Sequence, residues 1–248
     1  MRDEGTPADP GVAFIWDFDG TLADTRLRNY RIVRRLLADA TGGALDRFPA
    51  LQTPEHYERV QRRYVNWRDL YVREFGLSEE ETDKLGARWS EYQMAEPTPA
   101  MVFDGLPEVF RGLRAAVHGV VSQNARSQII RTLEAAGLAG RFGAVIGYDS
   151  VHLERQKPAA DGFLACLAVL SPDPPSRIAC VGDHETDVRC ARNAERALRG
   201  RGVATEVVSI AVCFVPGDDP MAWTERPDHV AHTPADILRI ARELRLDG

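Results

Sequence analysis

Short apolar runs that end at polar residues recur along this chain. The first, Val12 to Trp16, is followed directly by Asp17-Phe18-Asp19-Gly20. β-Branched and aromatic residues favour strands, and a short apolar run bounded by a turn is typical of a strand buried on both faces. Similar runs occur at residues 120–121, 144–146, 178–181 and 207–212. The chain is therefore predicted to build a sheet of buried strands.

Helical patterns occupy the stretches between the later runs. Apolar residues recur at steps of three and four around Ile129 and Leu133, from Phe163 to Leu170, and from Val188 to Leu198. Strands that alternate with helices form parallel sheets, because the crossover helices cover the sheet faces. We therefore expect an α/β fold with a doubly wound parallel sheet.

The stretch from about residue 26 to residue 96 breaks this alternation and has a helical pattern. Thr53-Pro54 predicts the start of one helix, and Ser78 with Glu81 has the spacing of a capping box. These features predict a core of residues 1–22 and 98–248 and a helical insert of residues 23–97. A stripe at helical spacing is expected to form one helical face, packed in a core or lining a substrate pocket: Tyr57, Val60, Tyr64, Trp67 and Tyr71.

Composition restricts the partners and the compartment. The formal net charge of -6 argues against nucleic acid, whose partners usually carry a basic excess. No apolar run approaches the roughly 20 residues that cross a bilayer, and the polar first ten residues, interpreted as a loose tail, lack the apolar stretch of a secretory signal. The four cysteines are widely spaced, which predicts buried thiols in a reducing compartment. We expect a soluble cytoplasmic protein with a small-molecule partner; its oligomeric state leaves no signal.

Polar residues follow several predicted strands, at the carboxyl ends where doubly wound sheets bind ligands. Each has an ordinary structural interpretation, as a turn, a helix cap or a solvated surface charge. Lys157 stands out because Lys84 is the other lysine in a chain whose basic residues are otherwise arginine. The candidate site residues are Asp17, Asp19, Ser122, Asn124, Lys157, Asp183 and Asp187.

Together these segments resemble the four motifs of the haloacid dehalogenase superfamily. Residues 17–25, Asp-Phe-Asp-Gly-Thr-Leu-Ala-Asp-Thr, are similar to its first motif, Ser122 to the second, Lys157-Pro158 to the third, and residues 182–187, Gly-Asp-His-Glu-Thr-Asp, to the fourth. The resemblance covers roughly residues 12–237 and includes a helical cap, as in the phosphoglycolate-phosphatase-like branch. It implies a phosphoric monoester hydrolase that uses Mg²⁺.

The resemblance also implies a role for each residue. Asp17 is the expected nucleophile, which becomes transiently phosphorylated, and Asp19 the expected acid and then base. Ser122 and Lys157 are expected to bind the phosphate and stabilise the transition state, with Asn124 as a further substrate contact. Mg²⁺ prefers hard oxygen ligands, which are expected from the side chains of Asp17 and Asp183 and from the backbone carbonyl of Asp19. Asp187 is expected to support the metal, either as a further ligand through water or as a hydrogen-bond partner of the ligands.

One departure from the family pattern concerns the second motif. Ser122 is followed by Gln123 and only then by Asn124, whereas relatives usually place the small or amide residue immediately after the hydroxyl. Which backbone amide meets the phosphate is therefore open.

Three alternatives to a phosphatase are compatible with such a fold. A phosphomutase would need a second phosphate site, for which Arg26, Arg28 and Arg31 are candidates unless they form an exposed helix face. A non-catalytic phosphate-binding regulatory protein is the second. A dehalogenase of the same fold lacks an acid at the position of Asp19, and we set it aside. The predicted substrate is a small phosphorylated metabolite, with phosphoglycolate as the family-level candidate.

Overall fold

A computed structural model describes residues 11–215, 217 and 219–247. The tail predicted for the first ten residues lies outside this range. The chain forms two compact units, one of Met1–Ala23 with Val102–Gly248 and one of Asp24–Met101. The boundaries drawn from the sequence were 22/23 and 97/98. Within the described residues, no helix combines the length and the apolar composition needed to span a bilayer.

The larger unit contains a six-stranded sheet in which every neighbouring pair is parallel. Its strands are β1 (Val12–Trp16), β4 (Val117–Val121), β5 (Phe142–Ile146), β6 (Arg177–Gly182), β7 (Glu206–Val212) and β8 (His229–Ala231). They lie in the order β5-β4-β1-β6-β7-β8, so the first strand is central. Two short strands near the unit boundary, β2 (Ala23–Asp24) and β3 (Met101–Val102), pair separately.

Helices pack on both faces of this sheet. In the larger unit they are α5 (Leu106–Gly112), α6 (Arg126–Ala135), α7 (Asp161–Leu170), α8 (Glu185–Gly200) and α9 (Pro234–Glu243). Alternate residues of β1 point to opposite faces. Ala13 and Ile15 join a buried cluster with residues of α7 and α8, whereas Trp16 packs on Phe110 of α5 with ring centroids 5.2 Å apart. The predicted doubly wound α/β fold is confirmed.

The smaller unit is helical and has its own core. It contains α1 (Arg26–Thr41), α2 (Pro54–Gln61), α3 (Trp67–Arg73) and α4 (Glu79–Ala95). Both predicted helix starts are confirmed: the Thr53 hydroxyl accepts from the His56 amide at 3.1 Å, and Ser78 and Glu81 form the capping box. These local bonds satisfy amides that have no partner within the helix.

The aromatic stripe does not form one continuous helical face, which corrects the prediction. Helix α2 ends at Gln61, and α3 begins at Trp67 because the Asn66 side chain caps it, accepting from the Asp69 amide at 3.0 Å. Tyr57, Val60 and Tyr71 are nevertheless buried in the core of this unit, with Tyr64 and Trp67 packed against them. The stripe therefore packs in a core, which was one of the two interpretations of the sequence pattern.

Strand β4 is longer than its apolar run because a buried histidine interrupts the pattern. His118 is 4% exposed, and its Nδ1 accepts from Trp16 Nε1 at 3.2 Å. The opposite ring nitrogen, Nε2, lies 3.2 Å from the Leu113 carbonyl and donates to it in the tautomer that satisfies both contacts. Burial lowers the pKa of His118 to about 4. The neutral ring therefore anchors the end of β1, one residue before Asp17.

This buried histidine predicts a loss of stability in mild acid. The unfolded chain binds a proton at His118 near pH 6.5 and the folded chain near pH 4, so stability falls as the pH drops through this window. We expect the wild type to lose about 2 kcal/mol more between pH 7 and pH 4.5 than His118→Gln, which keeps a donor and an acceptor but does not titrate. Urea unfolding at both pH values measures this. Equal losses in the two proteins would contradict the prediction.

Candidate active site

The parallel register brings the predicted site residues to one edge of the sheet. Trp16 pairs with Val120 on one side and Val181 on the other, so β1, β4 and β6 end side by side. The Asp17 amide donates to the Val181 carbonyl at 2.8 Å, which fixes the first residue beyond β1 against the neighbouring strand. Asp17, Ser122 and Asp183 therefore follow adjacent strands at the carboxyl edge.

Three carboxylates converge at this edge. Asp17 follows β1, Asp183 follows β6 and Asp187 lies in the first turn of α8, and one carboxylate oxygen of each lies within 4.8 Å of the others. Asp17 and Asp187 are buried, and Asp183 is half-buried. Like charges this close repel one another strongly in a site with little water, so the cluster requires cations.

Lys157 supplies one buried positive charge. Its Nζ forms an ion pair with Asp17 and another with Asp187, the latter at 2.6 Å. Burial by itself lowers the pKa of this ammonium, but the two carboxylates outweigh burial and raise the pKa well above its usual value. Burial raises the pKa of Asp17, with neighbouring carboxylates adding to the effect and Lys157 opposing it. Lys157 is therefore a fixed cation that pairs with two of the three clustered carboxylates.

Hydrogen bonds to the backbone hold the turn that carries this lysine. The Lys157-Pro158 peptide is cis. The carbonyl of Lys157 accepts from Gln123 Nε2 at 3.3 Å, and the carbonyl of Pro158 accepts from Asn193 Nδ2 at 2.8 Å. The turn is thereby tied to the loop after β4 and to helix α8.

The carboxylate of Asp19 lies beside Ser122 and Asn124. Asn124 Nδ2 donates to both carboxylate oxygens of Asp19, at 3.0 and 3.1 Å, and Ser122 Oγ lies 3.5 Å from one of them. The carboxylate of Asp19 is not part of the three-carboxylate cluster. A metal contact through its backbone carbonyl stays a prediction.

Asp187 serves both as a helix cap and as part of the acidic cluster. Its Oδ2 accepts from the amide of His184, the N-cap of α8, at 3.1 Å, while its Oδ1 accepts from Lys157. The two interpretations open from the sequence are therefore compatible at this residue. The helix cap orients the carboxylate that pairs with the lysine.

Two glycines allow the backbone to approach these carboxylates. A Cβ atom at Gly20 would overlap the carboxylate of Asp183, and one at Gly182 would overlap that of Asp187. Gly20 also has a positive φ of 75°, a conformation that favours glycine. The all-oxygen donor set and this close backbone cradle fit a hard cation such as Mg²⁺.

Sequence reasoning missed three residues that shape the site: Gly182, His184 and Asn193. Gly182 and His184 lie inside the fourth motif but have no role there without the structure. Asn193 lies in the middle of α8, and nothing in its local sequence connects it to Pro158. Long-range contacts of this kind leave no periodic signal.

Comparison of the sequence with models of known protein families assigns the chain to a family. A model of the family described as haloacid dehalogenase-like hydrolase matches residues 12–195. The chain belongs to this family. The matched segment contains all seven candidate site residues and ends within helix α8. The resemblance drawn from the four motifs is confirmed, and the protein is a hydrolase by family.

Solved structures share the fold over nearly the whole chain. A haloacid dehalogenase-like hydrolase from Bacteroides fragilis has a TM-score of 0.70 at 18% identity, covering 92% of this chain and 99% of its own. A candidate phosphoglycolate phosphatase from Lactobacillus plantarum has a TM-score of 0.68 at 20% identity, covering 92% and 98%. A candidate beta-phosphoglucomutase from Thermotoga maritima has a TM-score of 0.62 at 18% identity, covering 94% and 99%. Likeness at these identities shows the fold alone, and no curated protein matches the sequence.

The cradle around Asp183 predicts that Gly20→Ala weakens metal binding. The added methyl group must displace the Asp183 carboxylate, so we expect the affinity for Mg²⁺ to fall about tenfold or more in a calorimetric titration. Gly137→Ala is the matched control, because Gly137 has a φ of 68° but nothing within 4 Å of the added atom. Both variants should lose about 1 kcal/mol of stability from the left-handed backbone. Wild-type affinity in Gly20→Ala would contradict the prediction.

Proposed function

We propose that this protein is a Mg²⁺-dependent phosphomonoester hydrolase that acts through a phosphoryl group carried on Asp17. The observation that carries the proposal is the convergence of three carboxylates and one buried ammonium at the carboxyl edge of the sheet. Such a site attracts both a divalent cation and the phosphate that accompanies it. Membership of a hydrolase family supports the same reading.

In the first step an oxygen of Asp17 attacks the phosphorus of the substrate. The bond from phosphorus to the leaving oxygen breaks, and protonated Asp19 gives its proton to that oxygen. Attack by one anion on another requires compensating positive charge, which Lys157 supplies in part. When bound, Mg²⁺ would be held by Asp17, Asp183, Asp187 and the Asp19 carbonyl, and it would offset the remaining negative charge.

In the second step water releases the phosphate. Asp19, now a base, takes a proton from a water molecule while the water oxygen attacks the phosphorus. The bond between the phosphorus and the Asp17 oxygen then breaks. The Ser122 hydroxyl and the Lys157 ammonium are suited to stabilise the charge on the equatorial oxygens. The site is thereby returned to its starting state.

The proposed substrate is a small phosphorylated metabolite. Phosphoglycolate is the leading candidate, on the strength of the family resemblance and of fold neighbours named as phosphoglycolate phosphatases. We propose that the helical unit, Asp24–Met101, is the cap that selects among such metabolites.

The arginines that were candidates for the second phosphate site of a phosphomutase already have partners, which weakens the phosphomutase alternative. Arg26 is bonded to Asp24 at 2.7 Å, and Arg31 contacts the Thr98 hydroxyl. Arg28 is buried and donates to the carbonyl of Thr98 at 2.6 Å, so these arginines do not form one exposed helix face. All three guanidinium groups have partners within the helical unit.

The proposal predicts metal-dependent turnover that requires Asp17. We expect p-nitrophenyl phosphate hydrolysis to be abolished by EDTA and restored by Mg²⁺, and the rate of Asp17→Asn to fall by a factor of about 10³ or more, because an amide is a poor nucleophile. Asp173→Asn, an exposed acid far along the chain, is the charge-matched control and should keep full activity.

Two results would overturn this proposal. One is Asp17→Asn that retains wild-type turnover, and the other is hydrolysis that is indifferent to the metal. Binding of inorganic phosphate with no turnover of any phosphoester would favour the regulatory alternative. Interconversion of hexose phosphates without release of inorganic phosphate would favour a mutase.

A further inference from the structure

We propose that Asn124 is the positioning residue that aims the carboxylate of Asp19 at the leaving group, rather than a residue that binds the phosphate. This inference rests on the proposed function, because Asp19 acts as an acid only in that reaction. It assigns a purpose to the departure in the second motif, where Ser122 is followed by Gln123 and then by Asn124.

The contact between the two side chains is bifurcated, because one donor nitrogen faces both carboxylate oxygens. Asn124 Nδ2 lies 3.0 Å from one carboxylate oxygen of Asp19 and 3.1 Å from the other, both good hydrogen-bond distances. The Ser122 hydroxyl, at 3.5 Å, is at the outer limit and orients the group less firmly. The amide therefore restricts rotation of the Asp19 carboxylate about its terminal torsion, which is otherwise soft.

Asn124 is itself held rigidly. The residue is 4% exposed, and its Oδ1 accepts from the Ala125 amide at 2.8 Å. This bond identifies the oxygen of the amide and leaves the nitrogen facing Asp19. The backbone is fixed as well, since the backbone N–H of Asn124 donates to Ser122 Oγ at 3.1 Å and the backbone carbonyl of Asn124 accepts from the backbone N–H of Tyr148 at 3.0 Å.

The loop after β4 divides its two amide side chains between two parts of the site. Gln123 donates to the carbonyl of Lys157 at 3.3 Å, and Asn124 donates to Asp19. The extra residue between Ser122 and Asn124 is Gln123. Its presence allows the loop to contact both the turn at Lys157, through Gln123, and the carboxylate of Asp19, through Asn124. A general acid must lie within hydrogen-bond reach of the leaving oxygen, so its aim affects the rate directly.

The leaving group provides a test that separates aiming the acid from binding the phosphate. Phenyl phosphate and p-nitrophenyl phosphate are similar in size, but phenoxide is the poorer leaving group and depends more on protonation. The ratio kcat/KM reports the steps up to departure of the alcohol. In Asn124→Ala we expect kcat/KM to fall about tenfold more for phenyl phosphate than for p-nitrophenyl phosphate, a part of the roughly 10²–10⁴ that acid catalysis contributes.

Two further variants are controls that distinguish loss of the Asp19 contact from a general disturbance of the loop. Asn124→Ser retains a hydroxyl near the Ala125 amide but is too short to reach Asp19, and it should show the same discrimination between substrates. Gln123→Ala alters the same loop without touching Asp19, so its kcat/KM should fall by one factor for both substrates. In an Asp19→Asn background, Asn124→Ala should cause no additional loss with phenyl phosphate.

The outcomes are distinguishable. An equal loss for both substrates in Asn124→Ala and Asn124→Ser would overturn the inference and return Asn124 to the role of a phosphate contact. A further loss in the Asp19→Asn background would overturn it as well. If the wild type hydrolyses neither ester with Mg²⁺, the proposed function itself fails.

Discussion

The site is organised around one buried ammonium. Lys157 forms ion pairs with Asp17 and Asp187, and without it these two buried carboxylates would lose the ammonium that both of them contact. Its position depends on the turn at Pro158, which α8 holds through Asn193 and the loop after β4 holds through Gln123. Three segments that are distant in sequence must therefore be in place before the charges balance.

The sheet supplies the rigid frame for that assembly. Strand β1 is central and buried along its length. Its carboxyl end is level with those of β4 and β6, so the residues that follow these three strands lie close together. The neutral His118 ring ties β4 to Trp16 beside the first acid of the site. On the helical side, the N-terminus of α8 supplies Asp187, whose carboxylate both caps the helix and meets the lysine. Packing and chemistry thus share the same residues.

Much of the fold could be predicted because its signals are local. The five apolar runs all lie within strands, and the Thr53 and Ser78 caps mark real helix starts, since capping depends on residues three positions apart. Strand β8 was missed because it has three residues, and β4 was shortened because a histidine interrupts its apolar pattern. The break between α2 and α3 was missed for a related reason: the aromatic residues keep helical spacing across residues 62–66, although Asn66 begins a new helix.

The sequence by itself determined the family and the α/β class, and it predicted the acids and the lysine of the candidate site, because these rest on residue types at fixed positions beside strand patterns. Only the tertiary structure decided where those groups lie relative to one another. It brought Asp17, Asp183 and Asp187 together in one cluster, it placed the carboxylate of Asp19 against Asn124, and it showed that Gly20 makes room for the carboxylate of Asp183. The physical reason is range. Hydrogen bonds and overlaps between residues a hundred positions apart depend on strand order and register, which no local pattern encodes.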